Sequence, residues 1–280
     1  MLDKKKRDVD HLRVSLTNKC NLDCFYCHKE GNGVTNDEMI TSEVMHLLKV
    51  ARESNINSVK FTGGEPLLRD DIIHIIKKSK ELDFKDIGIT TNGTLLNHYA
   101  TELYDAGLRR VNIGCDSMTA TLPKNVETLK NKIFAAKNAG LNVKLNMVAL
   151  KGVNHNEISD MIKFSLENKL NLQLIELVKF HNNDYEKHYY SLDHWEKYLS
   201  QHADNIVKRK MQNRKRYFFG ENFVEIIKPS KNFCSACNKI RVTSNGKLRQ
   251  CLMNSSKVID FNDHNSFKTA IKSRDFYGYD

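Results

Sequence analysis

The chain has 280 residues, and its 44 lysines and arginines against 34 aspartates and glutamates give a net charge of +10, which fits either an anionic partner or a charged surface. Its hydrophobic share of 40%, with only 3 prolines and 13 glycines, is enough for a buried core and excludes a disordered, collagen-like or low-complexity chain. No run approaches the about 18 to 20 apolar residues of a membrane span, and the basic start lacks the apolar stretch of a secretion signal, so we predict a cytoplasmic protein without a membrane partner.

Apolar, β-branched runs alternate with longer stretches of helical period from the N-terminus to about residue 180. The predicted strands are Leu12–Thr17, Ser58–Thr62, Asp86–Thr91, Arg109–Gly114, Asn142–Ala149 and Asn171–Leu177. The predicted helices between them are Thr41–Ser54, Asp71–Leu82, Leu96–Ala106, Val126–Ala139 and Asn156–Asn168. Six strand-and-helix units in a row predict an α/β fold with a parallel sheet, closed or partly closed like a barrel, over residues 1–180.

The pattern changes after about residue 180. A helix is predicted from Asp193, whose side chain would cap it together with Glu196. The run Lys208–Arg216 is strongly basic, which is typical of a solvated face and less often of nucleic-acid binding. Short strands follow at Val224–Ile227 and on either side of a tight turn at residues 244–246. Residues 181–280 are therefore interpreted as a C-terminal α+β extension, an appendage to the barrel.

Seven cysteines form two groups of three and one single residue. The groups are Cys20, Cys24 and Cys27, and Cys234, Cys237 and Cys251. An odd number of cysteines without an export signal argues against disulfides, and clustered cysteines in a reducing compartment are typical metal ligands. The remaining cysteine, Cys115, lies between an apolar run and Asp116 and is predicted to be a small buried core residue.

The number of ligands in each group bears on which metal site it forms. Structural zinc normally takes four protein ligands, and His28, adjacent to Cys27, is poorly placed to be the fourth. Three thiolates suit a cubane [4Fe–4S] cluster that leaves one iron open for a substrate. We therefore favour an iron–sulfur cluster at each group. The alternative is a zinc-stabilised nucleic-acid-binding protein that uses the basic run.

Three polar motifs are expected at the carboxyl ends of successive strands, the edge where α/β folds keep their sites. The first cysteine group follows the first strand, Thr62-Gly63-Gly64-Glu65-Pro66 ends the second, and Thr90-Thr91-Asn92-Gly93 ends the third. Paired glycines let a ligand approach the backbone, and a free carboxylate on Glu65 can hold an ammonium group. Each of the two later motifs is, by itself, also compatible with an ordinary turn.

Taken in this order, CxxxCxxC followed by GGE resembles the radical S-adenosylmethionine superfamily. Further segments resemble its GTP 3′,8-cyclase family, from molybdenum cofactor biosynthesis, over roughly residues 8 to 255. They are LRVSLT at 12–17, FTGGEPLLR at 61–69, TTNG at 90–93, VKLN at 143–146 and the stretch from Phe233 to Leu252 around the second cysteine group. The run Cys27-His28-Lys29-Glu30-Gly31 is similar to archaeal members.

The resemblance implies a partial (β/α)6 barrel of the TIM type with a [4Fe–4S] cluster at each end of its cavity. In that family S-adenosylmethionine binds the first cluster and yields a 5′-deoxyadenosyl radical, which takes hydrogen from ribose C3′ of GTP before C3′ attacks guanine C8. The second cluster holds the guanine. Implied partners are GTP, a reducing electron donor and the downstream cyclic pyranopterin monophosphate synthase. The alternative enzyme modifies a peptide or other substrate and uses the second cluster for electron transfer.

The resemblance also assigns residues, by their positions in its motifs. Those around S-adenosylmethionine are Tyr26, Gly63, Gly64 and Glu65; those facing GTP are Arg13, Lys60, Thr90, Lys144, Lys239, Ile240 and Arg241, of which Arg13, Lys60 and Arg241 are implied to be catalytic. The departures are Lys60 and Lys239, where many relatives carry Arg, Gly114, which is often Ser, and Gln173, which is often Arg. Many relatives end in a double-glycine tail, which this sequence, ending at Asp280, lacks.

Overall fold

The structure, a computed structural model, describes residues 1–31, 37–179 and 184–275. Its strands are β1 (His11–Ser15), β2 (Ser58–Thr62), β3 (Asp86–Thr91), β4 (Arg110–Gly114), β5 (Asn142–Ala149), β6 (Asn171–Glu176), β7 (Asn205–Lys208), β8 (Lys215–Phe219), β9 (Asn222–Ile227), β10 (Lys239–Val242), β11 (Lys247–Cys251) and β12 (Asn254–Asp260). The first six match the predicted strands, with ends that differ by at most two residues. The prediction about the double-glycine tail concerns residues 276–280, which lie outside the described residues.

The helices of the described ranges are α1 (Thr41–Glu53), α2 (Ile72–Glu81), α3 (Leu96–Ala106), α4 (Val126–Asn138), α5 (Ile158–Glu167), α6 (Tyr185–His188), α7 (Asp193–His202), α8 (Lys231–Ser235) and α9 (His264–Lys272). The five helices predicted between the strands are α1 to α5, and α7 begins at the predicted residue. None of the helices in these ranges combines the length and the apolar character needed to cross a bilayer.

All strands belong to one sheet, in the order β12-β11-β10-β1-β2-β3-β4-β5-β6-β9-β8-β7. The central strands, from β10 through β1 and β6 to β9, pair in parallel with one another. Antiparallel strands, β11 and β12 on one side and β8 and β7 on the other, form the edges. The predicted α/β fold with a parallel, partly closed sheet is confirmed, as is the hairpin of β10 and β11.

The C-terminal part of the chain adds strands to the sheet of the N-terminal part. β9 pairs in parallel with β6, and β10 pairs in parallel with β1, so C-terminal strands extend both sides of the predicted six-stranded sheet. The pairing partner of a short strand cannot be predicted from its own sequence, because pairing depends on register and on which face is buried rather than on local pattern. The division at residue 180 stays a prediction about domains, but the sheet continues across it.

The cap predicted for α7 is wrong. Leu192 occupies the N-cap position, and neither Asp193 nor Glu196 caps the helix through its side chain. Both carboxylates instead pair with Lys228, which follows β9, and Glu196 also accepts a hydrogen bond from Lys215 of β8 at 3.0 Å. A lysine on a packed neighbouring element competes with the local backbone amides for these carboxylates, and that contact is not visible in the local sequence.

Side chains along the parallel strands alternate between an apolar outer face and a polar inner face. In β2, Val59 and Phe61 lie in the hydrophobic core with residues of α1 and α2, whereas Lys60 and Thr62 make polar contacts on the other face. A closed (β/α)8 barrel fills its interior with branched apolar side chains. A polar inner face therefore indicates an interior that accommodates a polar ligand.

Candidate active site

A cavity of about 650 Å³ lies at the carboxyl ends of the parallel strands. Both groups of cysteines line it: Cys20, Cys24 and Cys27 from the loop after β1, Cys234 from α8, Cys237 from the loop after α8, and Cys251 from the end of β11. In each group two of the cysteines share one turn, since the Cys27 amide donates to the Cys24 carbonyl at 3.0 Å and the Cys237 amide to the Cys234 carbonyl at 3.1 Å. The fold thus joins two groups that lie far apart in the sequence.

The paired glycines after β2 support the first cysteine loop. The Gly64 amide donates to the Thr17 carbonyl at 2.7 Å, and the Glu65 amide to the Lys19 carbonyl at 2.8 Å. A Cβ on Gly64 would lie 2.1 Å from the Lys19 carbonyl oxygen, and one on Gly63, at φ +146°, would lie 2.4 Å from that of Thr17. We expected a ligand to make the close approach; the structure puts the cysteine loop itself there, although both glycines also line the cavity.

The side chain of Glu65 is not the free carboxylate that we expected. It is fully buried, is not among the cavity-lining residues, and accepts hydrogen bonds from the Thr91 hydroxyl at 2.7 Å, the Asn92 amide at 2.6 Å and the Leu67 amide at 3.0 Å. Burial raises its pKa, and these hydrogen bonds act in the opposite direction. Glu65 therefore joins the end of β2 to the end of β3, and its three partners occupy three of the about four acceptor positions of the carboxylate.

Asn92 connects that support to the first cysteine group. Its Nδ2 donates to Asn21 Oδ1 at 2.7 Å and lies 3.8 Å from Cys20 Sγ. Its Oδ1 accepts from both the amide and the hydroxyl of Thr94, which fixes the orientation of the side-chain amide. The motif at the end of β3 is thus more than a turn: it holds a donor next to a cysteine sulfur.

Tyr26, between the second and third cysteines, lies in a buried polar cluster that the sequence did not reveal. Its hydroxyl donates to Asp116 at 2.8 Å, and Lys124 lies 2.8 Å from the same carboxylate oxygen. Burial, followed by the charge of Asp116, raises the pKa of Tyr26 and keeps the phenol neutral. A Cβ on Gly114 would lie 3.0 Å from the Lys124 side chain, which gives a physical reason for glycine where relatives often carry serine.

Glu30 brings together two of the predicted GTP-binding arginines. Arg13 donates to both of its carboxylate oxygens, through Nε at 3.0 Å and through one Nη, and Arg241 donates to it at 2.9 Å. The Thr62 hydroxyl adds a bond of 3.0 Å. Burial alone would raise the pKa of Glu30, but Arg13 and then the other neighbouring cations hold it well below its usual range. The carboxylate stays charged between the arginines.

Three predicted GTP-binding lysines point into the same interior with neutral partners. Lys60 Nζ donates to Asn112 Oδ1 at 3.0 Å, Lys239 Nζ to Gln212 Oε1 at 3.0 Å, and Lys144 Nζ to Gln173 Oε1 at 2.7 Å. Lys144 also contacts the carboxylate of Glu225 at 3.0 Å. Burial lowers the pKa of all three lysines, that of Lys144 to about 8. The interior therefore brings three basic side chains close together, and burial opposes their charged form.

The cavity brings together most, but not all, of the residues predicted from the sequence. Besides the cysteines, Arg13, Tyr26, Gly63, Gly64, Thr90, Lys239 and Arg241 line it, whereas Lys60, Lys144, Glu65 and Ile240 do not. Ile240 lies fully buried in the hydrophobic core, because the alternation along β10 turns it away from the face that carries Lys239 and Arg241. The sequence analysis assigned no site role to Glu30, Asp116, Lys124, Gln212 and Arg214, which also line the cavity.

The sequence matches two family descriptions that together cover most of the chain. The Radical SAM superfamily matches residues 14–165, and Molybdenum Cofactor Synthesis C matches residues 170–271. With the parallel sheet and the cysteine loop after β1, these matches define the class: the chain belongs to the radical SAM superfamily, whose members use an iron–sulfur cluster and S-adenosylmethionine.

Within the superfamily the chain belongs to the GTP 3′,8-cyclase family, and the relatives that show this are archaeal. It is 39% identical to the probable GTP 3′,8-cyclase of Methanothermobacter marburgensis, over 99% of this chain and 93% of that protein. It is also 39% identical to the probable GTP 3′,8-cyclase of Sulfurisphaera tokodaii, over 94% of this chain and 87% of that protein. The resemblance inferred from the motifs, including its archaeal type, is confirmed.

Solved structures share the fold at much lower identity. Streptococcus suis SuiB bound to S-adenosylmethionine superposes with a TM-score of 0.71 at 16% identity, over 91% of this chain and 64% of SuiB. The chain thus spans somewhat less than two thirds of the length of SuiB. Native anSMEcpe with bound AdoMet superposes with a TM-score of 0.56 at 17% identity, over 88% of this chain and 75% of that chain. These likenesses show the radical SAM fold.

The donor set of both cysteine groups fits an iron–sulfur cluster. Each group presents three thiols to one cavity, and thiolates are the usual ligands of such clusters. In the described part of the chain no three His, Cys, Asp or Glu side chains converge closely enough for a single metal ion. A cubane is larger than one ion and accepts thiolates that stand farther apart. Cys115, in contrast, is fully buried in the apolar core, as predicted.

Proposed function

We propose that this protein is a lyase that converts GTP to (8S)-3′,8-cyclo-7,8-dihydroguanosine 5′-triphosphate, the first step of molybdenum cofactor biosynthesis. The observation that carries the proposal is the meeting of two three-cysteine groups in one cavity with cationic walls. The names of the archaeal relatives, which match this chain over nearly their whole length, support it. A triphosphate requires cationic partners, and radical chemistry requires a site that excludes water.

The first cysteine group would hold a [4Fe–4S] cluster with an open iron, and the second group another. When bound, the first cluster and S-adenosylmethionine supply a 5′-deoxyadenosyl radical that can take hydrogen from ribose C3′. Tyr26, Gly63 and Gly64 line the cavity beside the first group and would contact the cofactor. Glu65 is a positioning residue in this proposal, because it orients Asn92 and the cysteine loop without reaching the cavity.

The basic inner face would bind the substrate. The side chains proposed to contact GTP directly are Arg13, Thr90, Lys239 and Arg241, which line the cavity. A planar guanidinium binds phosphate oxygens in pairs, so Arg13 and Arg241 suit the triphosphate and would orient the ribose towards the first group. Lys60 and Lys144 are buried behind the residues that line the cavity and would add positive charge there. The assignment of Arg13, Lys60 and Arg241 as catalytic remains part of the proposal.

Further expectations belong with this function. We propose that a reducing electron donor acts on the first cluster and that a cyclic pyranopterin monophosphate synthase takes up the product. A cytoplasmic location would keep the seven thiols reduced for cluster binding. The alternative of a peptide-modifying enzyme is not favoured, because SuiB, which is also solved bound to its precursor peptide SuiA, is 16% identical to this chain, against 39% for the archaeal relatives named GTP 3′,8-cyclase. The zinc-stabilised nucleic-acid binder is not favoured either.

Anaerobic turnover with defined substrates tests the proposal. The reconstituted protein should contain about eight irons and eight sulfides per chain, as two [4Fe–4S] clusters require. With S-adenosylmethionine, dithionite and GTP it should form 5′-deoxyadenosine together with the cyclised nucleotide. Formation of 5′-deoxyadenosine that is equally fast without GTP, with no cyclised product, would overturn the proposal, and so would a colourless protein that carries one or two zinc ions.

Single cysteine variants separate the two groups. Cys24→Ala should abolish cleavage of S-adenosylmethionine, whereas Cys237→Ala should retain uncoupled cleavage but lose the cyclised product. Cys115→Ala is the matched control, because it removes a thiol that lies in the core and should leave the iron content and the product yield unchanged. Equal loss of cleavage in the Cys24 and Cys237 variants would contradict the proposed division of roles.

A further inference from the structure

The sequence analysis interpreted the basic run as a solvated face, and its three lysines are indeed exposed, but its three arginines turn to the inner side of the sheet. Residues 208–216 span the end of β7, a short 3-10 turn and the start of β8. β8 pairs with β9 so that Arg216 stands opposite Glu225, and β9 pairs with β6 so that Glu225 stands beside Gln173. Glu225 is fully buried. The run therefore surrounds a carboxylate in the interior.

Four basic side chains share this one carboxylate. Their nitrogens lie within 4 Å of its oxygens: Lys144 at 3.0 Å, Arg209 at 3.2 Å, Arg214 at 3.6 Å and Arg216 at 3.9 Å. One carboxylate cannot neutralise four cations, and unpaired charge that is removed from water is costly. Burial lowers the pKa of Arg214 to about 10 even though Glu225 acts in the opposite direction. The cluster is thus short of negative charge.

Arg214 is the arginine of this cluster that lines the cavity. Its side chain is 10% exposed, and its Nε has no hydrogen-bond partner. One of its Nη groups donates to Gln212 Oε1, which also accepts from Lys239 at 3.0 Å. The Nε2 of Gln212 lies 3.9 Å from Cys237 Sγ. Arg214 therefore lies between the shared carboxylate of Glu225 and the second cysteine group.

We propose that Arg214 is a phosphate-binding residue of the nucleotide site, a role that rests on the proposed function. Its buried, unpartnered Nε–H and an Nη group form the edge of a planar guanidinium, which matches a phosphate in bidentate geometry. Glu225 orients this guanidinium but does not cancel its charge, because three other cations share the carboxylate. A bound polyphosphate supplies the negative charge that the cluster lacks.

Arg209 provides a matched control on the same carboxylate. It contacts Glu225 at 3.2 Å, its side chain is 26% exposed, and it is not among the residues that line the cavity. Replacing Arg209 removes one positive charge from the cluster but no group that can touch a ligand. An effect mediated only by the packing or total charge of the cluster would appear in both variants, whereas phosphate contact would appear in Arg214 alone.

The test measures nucleotide affinity on the anaerobic protein with both clusters. We expect Arg214→Gln to weaken GTP binding about tenfold or more, GMP binding less, and guanosine binding not at all, because the lost interaction is with phosphates. Arg214→Lys keeps the charge but not the planar guanidinium, so its affinity for GTP should lie between those of the wild type and Arg214→Gln. Arg209→Gln should stay within about twofold of the wild type for every ligand. Thermal unfolding of each variant confirms that it is folded.

The outcomes separate this inference from the function it rests on. If the wild type prefers GTP to guanosine and Arg214→Gln keeps that preference, the inference is overturned while the proposed function stands. Equal weakening in the Arg214 and Arg209 variants, or a parallel loss of guanosine affinity, overturns it as well. If the wild type binds guanosine as tightly as GTP and forms no cyclised product, both proposals fail.

Discussion

Single side chains in this protein act through partners from other strands. Arg13 in β1 and Arg241 in β10 are neighbours in register, and Glu30 from the cysteine loop bridges them. The carboxylate holds two guanidinium groups at the cavity wall in fixed orientations before any substrate is present. Glu30 thus occupies a position where a phosphate of the substrate would find the same two partners.

Replacing Glu30 by glutamine tests this arrangement. Glu30→Gln keeps the shape but leaves the buried Arg13 and Arg241 without a counter-charge, so we expect the free energy of unfolding to fall by about 3 kcal/mol. Inorganic triphosphate should restore more stability to this variant than to the wild type, because the anion replaces the lost charge. Urea unfolding with and without the anion measures both effects.

The control for this prediction is Glu81→Gln, which removes an exposed carboxylate paired with Lys78 on the surface and should cause no measurable change. A Glu30 variant as stable as the wild type, or one that gains no extra stability from the anion, would contradict the bridging role.

At the scale of elements, the loop after each strand depends on the loop of its neighbour. The cysteine loop after β1 packs on the glycine pair after β2, and Glu65 of that pair's loop holds the loop after β3. The contact between the cysteine loop and the glycine pair is made by backbone hydrogen bonds more than by side chains. The positions of the three cysteines consequently depend on backbone atoms of the neighbouring loops, which take no part in the reaction themselves.

Gly64→Ala should displace the first cysteine loop. Its added Cβ would lie 2.1 Å from the Lys19 carbonyl oxygen, a backbone atom that cannot turn away. We expect the iron content to fall by about half, as loss of one of two clusters predicts, together with loss of S-adenosylmethionine cleavage. Iron and sulfide analysis of the reconstituted protein, with an assay for 5′-deoxyadenosine, measures the effect.

Gly152→Asn is the matched control for this substitution. Gly152 has φ +73°, a conformation that asparagine tolerates, and a Cβ there meets no atom within 4 Å. This variant should keep the full iron content. Full iron and normal cleavage in Gly64→Ala would show that the loop does not need the glycine.

In the whole molecule, C-terminal strands flank the N-terminal strands on both sides around a charged interior. Because β10 lies beside β1 and β9 beside β6, C-terminal residues complete the walls on both sides of the N-terminal barrel strands. Two buried carboxylates, Glu30 and Glu225, partly offset the basic side chains of that interior. Arg13 and then its neighbours lower the pKa of Glu30, and Lys144, Arg214 and Arg209 lower that of Glu225, in both cases against the effect of burial.

These pKa values predict how stability depends on pH. A carboxylate whose folded pKa is lowered stabilises the fold above its unfolded value, near 4.5, and loses that contribution as the pH falls towards the folded value. The stability difference between the wild type and Glu225→Gln should therefore be largest at neutral pH and shrink below about pH 4.5. Urea unfolding from about pH 7 to pH 3 measures it. A difference that is constant over this range would show that Glu225 is not a charged partner of the four cations.

Local pattern in the sequence was sufficient for the six N-terminal strands, the helices α1 to α5 and the two cysteine groups, and the resemblance of the motifs to a known family added the class of enzyme. Periodicity and spacing are properties of neighbouring residues, so they can be interpreted without knowing what packs where. The same holds for Cys115, which an apolar run already marked as a core residue. The sequence identified the residues of the motifs, but it did not show which of their side-chain atoms are available to a ligand.

Only the tertiary structure decided which strands pair and which side chains contact one another. It paired β9 and β10 with the barrel, turned Ile240 into the core, bound the carboxylate of Glu65 to the end of β3 and placed Arg214 at the cavity wall. Each of these outcomes depends on strand register and on competition among distant groups for one charge or one donor. Such contacts bring together residues far apart in the chain, and local sequence carries no record of them.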